Sequence, residues 1–494
     1  MKYIAPALMV IFLVLSASAY DYTDNLAPSQ DPPGDIPVDD VPMFISIGFD
    51  DNYRTGILLD EDQGMKWSMD FARTLQNPEG AGQEETFDGA SVRFTYYSNT
   101  GYWSGDLSSD YATHYKWIHN RAHEEGHEVG SHTHMHGHGE SYSRDTWYDE
   151  IATTIEWFTK PAPEELTLFD DPEEGAGIPR TDITGYRTPF LEYNDYLFEV
   201  LKDLDFHYDC SIEEGWQQDQ DGTDYLWPYT MDNGSPGFRA IQDVLGAKQD
   251  ITLSNHPGLW QMPCYAIIAP PDDKCEQYGI EPGLRDNIAS WFGGFNPDNG
   301  KMTGLDVNWF IYNGYRLTKE EALASLKYTL DLRMQGNRAP LLLGGHTNVY
   351  TQSWNGAADR GAKTPEERMY VIEEFITYAL ETYDEVRIVP MDDVLAWMRT
   401  PVALEGNTNS AVSDTPDAVE FSLSAENRAV QINSETTTQA VVSVYTAQGR
   451  QLFNGSRRLT QGSNTIPLER GHSEGVLFVR ITNSKIDVTQ KLLR

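Results

Sequence analysis

The sequence is poor in cysteine, in positive charge and in long apolar runs, and each shortage excludes something. Three cysteines in 494 residues cannot staple a disulfide scaffold of this size. Cys264 and Cys275 can pair across a short loop, which leaves Cys210 alone. Only 36 Lys and Arg stand against 76 Asp and Glu, a formal charge of −40. Such a surface repels phosphate, so nucleic acid and anionic membrane are excluded as partners. No stretch beyond the first twenty residues approaches the ~20 apolar residues of a membrane span. Residues 1–19 read as a signal peptide. Lys2 supplies the charge, Ile4 to Leu15 a short apolar core, and Ala17, Ser18 and Ala19 a cleavage site before Tyr20. The expected location is therefore secreted or cell-surface.

What is present falls into two textures. Residues 20–42 are rich in Asp and Pro and are expected to form a flexible lead-in. From 43 to 400, short apolar runs alternate with helical periods. Met43 to Phe49, Ser91 to Tyr97 and Leu341 to Leu343 read as strands. Met65 to Leu75, Tyr115 to Glu125, Asn194 to Leu204 and Lys319 to Met334 read as helices. That alternation predicts an α/β domain with a mainly parallel sheet and inserted loops. Residues 401–418 form a polar linker. From 419 to 494 only short strands remain, at Val441 to Tyr445, Asn464 to Leu468 and Gly475 to Ile481, which predicts a small all-β sandwich. Nine Lys and Arg face six Asp and Glu from Val419 onward, so the acidity belongs to the larger domain.

Two segments carry chemistry. Asp50 and Asp51 end the first apolar strand, where ligand-binding groups sit in α/β folds. Asp-Asp pairs also begin at 39, 170, 272 and 392, so position alone distinguishes this one. Adjacent carboxylates there need a cation or a shared proton to coexist. His127, His132, His134, His136 and His138 pack five imidazoles into twelve residues. His132 and His136 would share one face if the segment starts a helix, and so would His134 and His138, so spacing leaves the register open. Imidazoles with one carboxylate suit Zn²⁺, with Co²⁺ or Ni²⁺ as alternatives.

The strand ending in Asp50 and Asp51, with the run His127, Glu128, Val129, Gly130, Ser131, His132, Thr133 and His136, resembles the first two motifs of the polysaccharide deacetylases. These are the NodB-homology enzymes of carbohydrate esterase family four. Three further segments fall in the family's order: Arg187 to Phe190, Tyr208 to Ser211, and Leu343 to His346. The resemblance implies a distorted (β/α) barrel with a single metal. It implies Asp51, His132 and His136 as ligands, and Asp50 as the base toward the attacking water. Arg187 would orient Asp50, the Phe190 backbone N–H would meet the oxyanion beside Pro189, and His346 would protonate the leaving amine. In the family a second Asp of the fourth motif tunes that histidine. Its place here is Ile212, so Asp209 is offered instead.

The long interval between Ser211 and His346 is similar to the loops of chitin and chito-oligosaccharide deacetylases, with Trp227 and Trp260 as candidates for stacking on sugar rings. An acetylated polysaccharide is the implied partner, its N-acetyl groups the expected target. O-acetyl xylan, peptidoglycan and a non-catalytic glycan-binding role are the alternatives. The acidity suits a salty habitat, or a substrate that becomes cationic as its amines are unmasked. Asp219 to Asp224 lacks the Gly and Glu of a calcium loop and reads as a turn. The C-terminal module is similar to type IX secretion sorting domains, which implies secretion machinery as a partner; a carbohydrate-binding sandwich is the alternative.

Overall fold

The computed structural model describes residues 20–107 and 112–404, and in the C-terminal part the strands between 422 and 493. The expected signal peptide and most of the expected linker lie outside the described residues. The chain divides into two compact units, Met1–Thr408 and Asn409–Arg494.

The first unit is built on a nine-stranded sheet. Its central strand, Met43–Asp50, is buried along its whole length, as a parallel strand covered on both faces must be. On one side it pairs in parallel with Leu341–His346, with Asp50 opposite His346. On the other it meets Thr95–Ser98 near its end and Val386–Ile388 at its start. The path continues through Glu128–Ser131, Gly185–Tyr186, Tyr208–Asp209 and His256–Gln261, all parallel. Tyr229–Met231 closes the row antiparallel. The sheet curls without closing, giving the distorted barrel that was expected.

The helices stand close to their predicted places: Gly64–Ala72, Ala112–Glu124, Asp195–Asp203 and Lys319–Gln335. Thr318 and Thr364 start Lys319–Gln335 and Pro365–Thr382 with reciprocal capping boxes to Glu321 and Glu367.

The segment at 20–42 is not the loose lead-in its composition suggests. Its backbone is hydrogen-bonded to the last strand of the sheet and the residues before it: Trp227 N donates to Ser29 O, and Thr230 N to Leu26 O. The Tyr22 hydroxyl donates to Phe206 O at 2.8 Å. Proline and aspartate leave such a segment without regular structure of its own, but neighbouring strands supply the partners. Cys264 and Cys275 are not paired; all three cysteines are free, buried thiols. Asp219 to Asp224 is a turn, with Asp221 Oδ1 accepting from the Thr223 amide and hydroxyl.

The second unit has two antiparallel sheets. One holds Ser422–Glu426, Ala429–Ser434 and Gly462–Pro467; the other holds Thr438–Thr446, Gln451–Leu459, Val476–Asn483 and Ile486–Leu493. Val430 and Ile432 of the first and Val442 and Val444 of the second are buried at alternate positions, the pattern of a small sandwich.

Candidate active site

Strand ends build the site. After Asp50 the chain turns through two left-handed residues, Asp51 (φ 66°) and Asn52 (φ 56°), a conformation that Asp and Asn tolerate best among non-glycine residues. The Asn52 side-chain amide locks the turn by donating to Phe49 O (2.8 Å), Tyr97 O (3.0 Å) and Ser98 Oγ (3.2 Å). The two adjacent carboxylates are thereby separated. Asp50 Oδ1 accepts from Arg187 Nη1 at 2.8 Å, while Asp51 turns toward the histidines.

Arg187 is wholly buried and also donates to Gly48 O at 2.9 Å. Gly48 makes this possible, because a Cβ there would lie 2.6 Å from the Tyr97 ring and 3.0 Å from the guanidinium. The cation rests over the Tyr97 ring, 4.5 Å from its centre.

The histidine segment is not a helix, so the anticipated common face does not exist. It is a loop with Thr133 (φ 66°) and His136 (φ 52°) left-handed, and those bends bring His132 and His136 together. Asp51 Oδ1 lies 3.0 Å from His136 Nε2 and 3.6 Å from His132 Nε2. His132 Nδ1–H donates to Arg187 O at 2.7 Å, which aims the Nε2 lone pair at Asp51. Burial holds His132 at about 4, so its ring is neutral, as a metal ligand requires. The other histidines turn away. His127 accepts from Phe94 N in the core. His134 contacts Thr100 and Asp106, and His138 contacts Glu192.

These three residues fit a metal. Donors about a zinc at its usual bond lengths stand roughly 3.3 Å apart, and the distances here bracket that value. Asp51 Oδ1 is buried with no aligned hydrogen-bond partner among the described residues, so it aims at the space the imidazoles share. The ligand atoms of Asp51, His132 and His136 lie within 4.8 Å of one another.

His346 ends its strand opposite Asp50 in register. Its partner is not Asp209 but Asp306, the first residue of the short helix Asp306–Phe310. Asp306 accepts from His346 Nδ1 at 2.8 Å and from its backbone N–H at 2.9 Å. Burial pulls the imidazole pKa down, but the Asp306 hydrogen bond and charge, with Asp50 and Asp51 beyond, lift it to about 9. Asp209 serves another purpose: it accepts from Ser211 Oγ (2.6 Å) and N (2.8 Å), and Ser211 in turn accepts from Thr188 N. Asp209 thus anchors the turn that follows Arg187. Ile212 in place of the family's aspartate signalled that the carboxylate comes from elsewhere. Among 76 acidic residues, nothing marked Asp306.

Asp50, Asp51, His132, His136 and His346 open on one cleft of about 920 Å³. Phe190, left-handed at φ 56° and 55% exposed, forms part of its rim and stacks on His138 with ring centres 4.2 Å apart. Pro189 is buried beneath it. Trp227 and Trp260 do not reach the cleft. They are 1% and 2% exposed, Trp227 packing on Trp397 and Trp260 donating to Asp24. The tryptophan that lines the cleft is Trp216.

Residues 85–208 match the polysaccharide deacetylase family. The chain carries a polysaccharide deacetylase domain. It is a hydrolase. The matched stretch of the deacetylase domain holds His132, His136 and Arg187; the fold adds Asp50, Asp51 and His346 from outside it. Among solved structures, a Mycobacterium smegmatis protein described as a polysaccharide deacetylase is similar at 18% identity, over 76% of this chain and 96% of that one, with a TM-score of 0.38. One from Pseudomonas aeruginosa PAO1, so described too, has 13% identity, coverages of 78% and 98%, and a TM-score of 0.37. A family 4 carbohydrate esterase from Streptomyces lividans, in complex with acetate, has 14% identity, coverages of 34% and 61%, and a TM-score of 0.21. No curated protein sequence matches significantly.

Proposed function

We propose that this hydrolase removes N-acetyl groups from chitin or chito-oligosaccharides, releasing acetate, with one divalent ion. The observation that carries the reading is that a carboxylate–imidazole ligand set, a buried carboxylate and an imidazole hydrogen-bonded to Asp306 open on one cleft. A zinc ion held by Asp51, His132 and His136, with Co²⁺ or Ni²⁺ as alternatives, would acidify the attacking water and polarise the acetyl carbonyl.

The chain's own groups do the rest. Asp50, held through Oδ1 by Arg187, accepts the proton that the attacking water gives up. The Phe190 backbone N–H donates to the oxygen that gains charge as the carbonyl carbon becomes tetrahedral. His346 then gives its Nε2 proton to the sugar nitrogen, the C–N bond breaks, and acetate and free amine result. An amine leaves only when protonated, and His346 keeps its proton through neutral pH.

Release of acetate from chitopentaose, compared with acetylated xylan, tests the substrate. Chelator should abolish activity and lower the melting temperature, since a ligand bound to the folded state stabilises it, and Zn²⁺ should restore both. Hydrolysis of xylan esters alone would overturn the N-acetyl reading. We further propose that residues 1–19 direct export, and that the C-terminal unit is a sorting or glycan-binding module. The apolar core before Ala17 and the two small antiparallel sheets support these roles.

A further inference from the structure

Tyr20, which directly follows the expected cleavage site, is held at both ends of its side chain, whereas residues near a chain end are usually loose unless tied down. Its ring stacks on His207, with centres 4.0 Å apart and planes 20° from parallel, and meets Tyr22 edge-on at 4.9 Å. Its hydroxyl donates to Asp24 Oδ2 at 2.6 Å, where Trp260 Nε1 (2.8 Å) and Arg399 Nε (2.7 Å) also donate. Gly258 leaves room for this segment, because a Cβ there would lie 2.0 Å from Tyr22 O.

The main-chain nitrogen of Tyr20 donates to Asp205 Oδ1 at 2.7 Å, a length typical of a charged donor on a carboxylate. Asp205 is half-buried in a left-handed turn (φ 60°) between the helix Asp195–Asp203 and the strand Tyr208–Asp209. Among the described residues no side-chain cation is in contact with it. The charge of Arg180 acts on it from farther off, while that guanidinium donates to Ile183 O and Leu204 O. In an uncut chain the Tyr20 nitrogen is a neutral amide. Hydrolysis breaks the Ala19–Tyr20 C–N bond with one water, whose oxygen stays on the Ala19 carboxylate and whose two hydrogens make Tyr20 N an ammonium. The same short contact then becomes an ion pair.

We infer that Asp205 and His207 form a receptor for the chain end freed by a cut before Tyr20, the carboxylate taking the ammonium and the imidazole face taking the ring. Processing itself thereby fastens the 20–42 segment to the barrel. The inference rests on the reading of residues 1–19 as an export signal, and gives it a consequence: the processed chain is more stable than its precursor.

The groups around this chain end are Asp24, Asp203, Asp205, Arg180, Arg399, His207 and the phenols of Tyr20 and Tyr22. Burial holds His207 at about 4 and raises both phenols above their ordinary value. A free α-ammonium titrates at about 7.7–8.0, and a carboxylate partner raises that value in the folded chain. The added stability is therefore present below about pH 7.7 and lost as pH rises through the raised value.

Two preparations read this directly: one begins at Tyr20, released from a fusion partner, and the other keeps Ser18 and Ala19 ahead of it. At about pH 6 the chain that begins at Tyr20 should melt about 1–3 °C higher, and the gap should close by about pH 10. Asp205→Asn, which a left-handed turn accepts, should close the gap at every pH. Equal melting at about pH 6, or a gap that survives Asp205→Asn, overturns the receptor. Mass spectrometry of the exported chain tests the reading beneath it: a first residue other than Tyr20 overturns the cut, and with it the processing step, whatever the melting data show.

Discussion

At the scale of single residues, the site works by giving adjacent or similar groups opposite roles. Asp50 and Asp51 are neighbours in sequence, yet a left-handed turn sends one to an arginine and the other to two histidines. Asp50→Asn keeps the shape and removes the proton acceptor; kcat should fall by about 10²–10⁴ with metal content unchanged, as checked by acetate release and metal analysis. His346 depends on Asp306 for its charge. It must be protonated to act, so the rate falls as pH rises through its pKa, which Asp306 raises. Asp306→Asn should therefore move the alkaline limb of the kcat/KM profile about one to three units toward acid. An unmoved limb would assign the proton donor to another group.

At the scale of elements, parallel strands put every acting group at one edge of the barrel, but small residues let them converge. Gly48 is the clearest case, because Arg187 lies against the strand where any side chain would stand. Gly48→Ala should destabilise the fold by ~1–3 kcal/mol, the usual result of overpacking, and should lower activity beyond that by displacing Arg187 from Asp50. Denaturant unfolding and kcat, measured on the same preparation, separate the two effects. The 20–42 segment makes a related point. Its composition predicts looseness, and its order comes from strands far away in sequence.

At the scale of the molecule, the charge of −40 is concentrated in the catalytic unit, and much of it is unpaired. Self-repulsion of that size opposes compaction and is screened by salt. The melting temperature should rise as sodium chloride increases from about 10 mM to 150 mM, where the screening length shortens from roughly 30 Å to 8 Å; scanning calorimetry measures it. A melting temperature that falls instead would mean that attractive ion pairs outweigh the repulsion.

Much was readable from the chain itself. The apolar runs and helical periods placed the main strands and helices, because burial of one face imposes a period that needs no knowledge of neighbours. The spaced motifs singled out Asp50, Asp51, His132, His136 and His346, which the fold brings to one cleft, and Arg187, which it buries behind Asp50. Local patterns could not say which carboxylate meets His346, or which tryptophans face the cleft rather than the core. Nor could they show that the histidine segment bends as a loop. Those outcomes depend on distances between residues tens to hundreds of positions apart. Such distances are set by how the whole sheet curls, and no local run of residues encodes them.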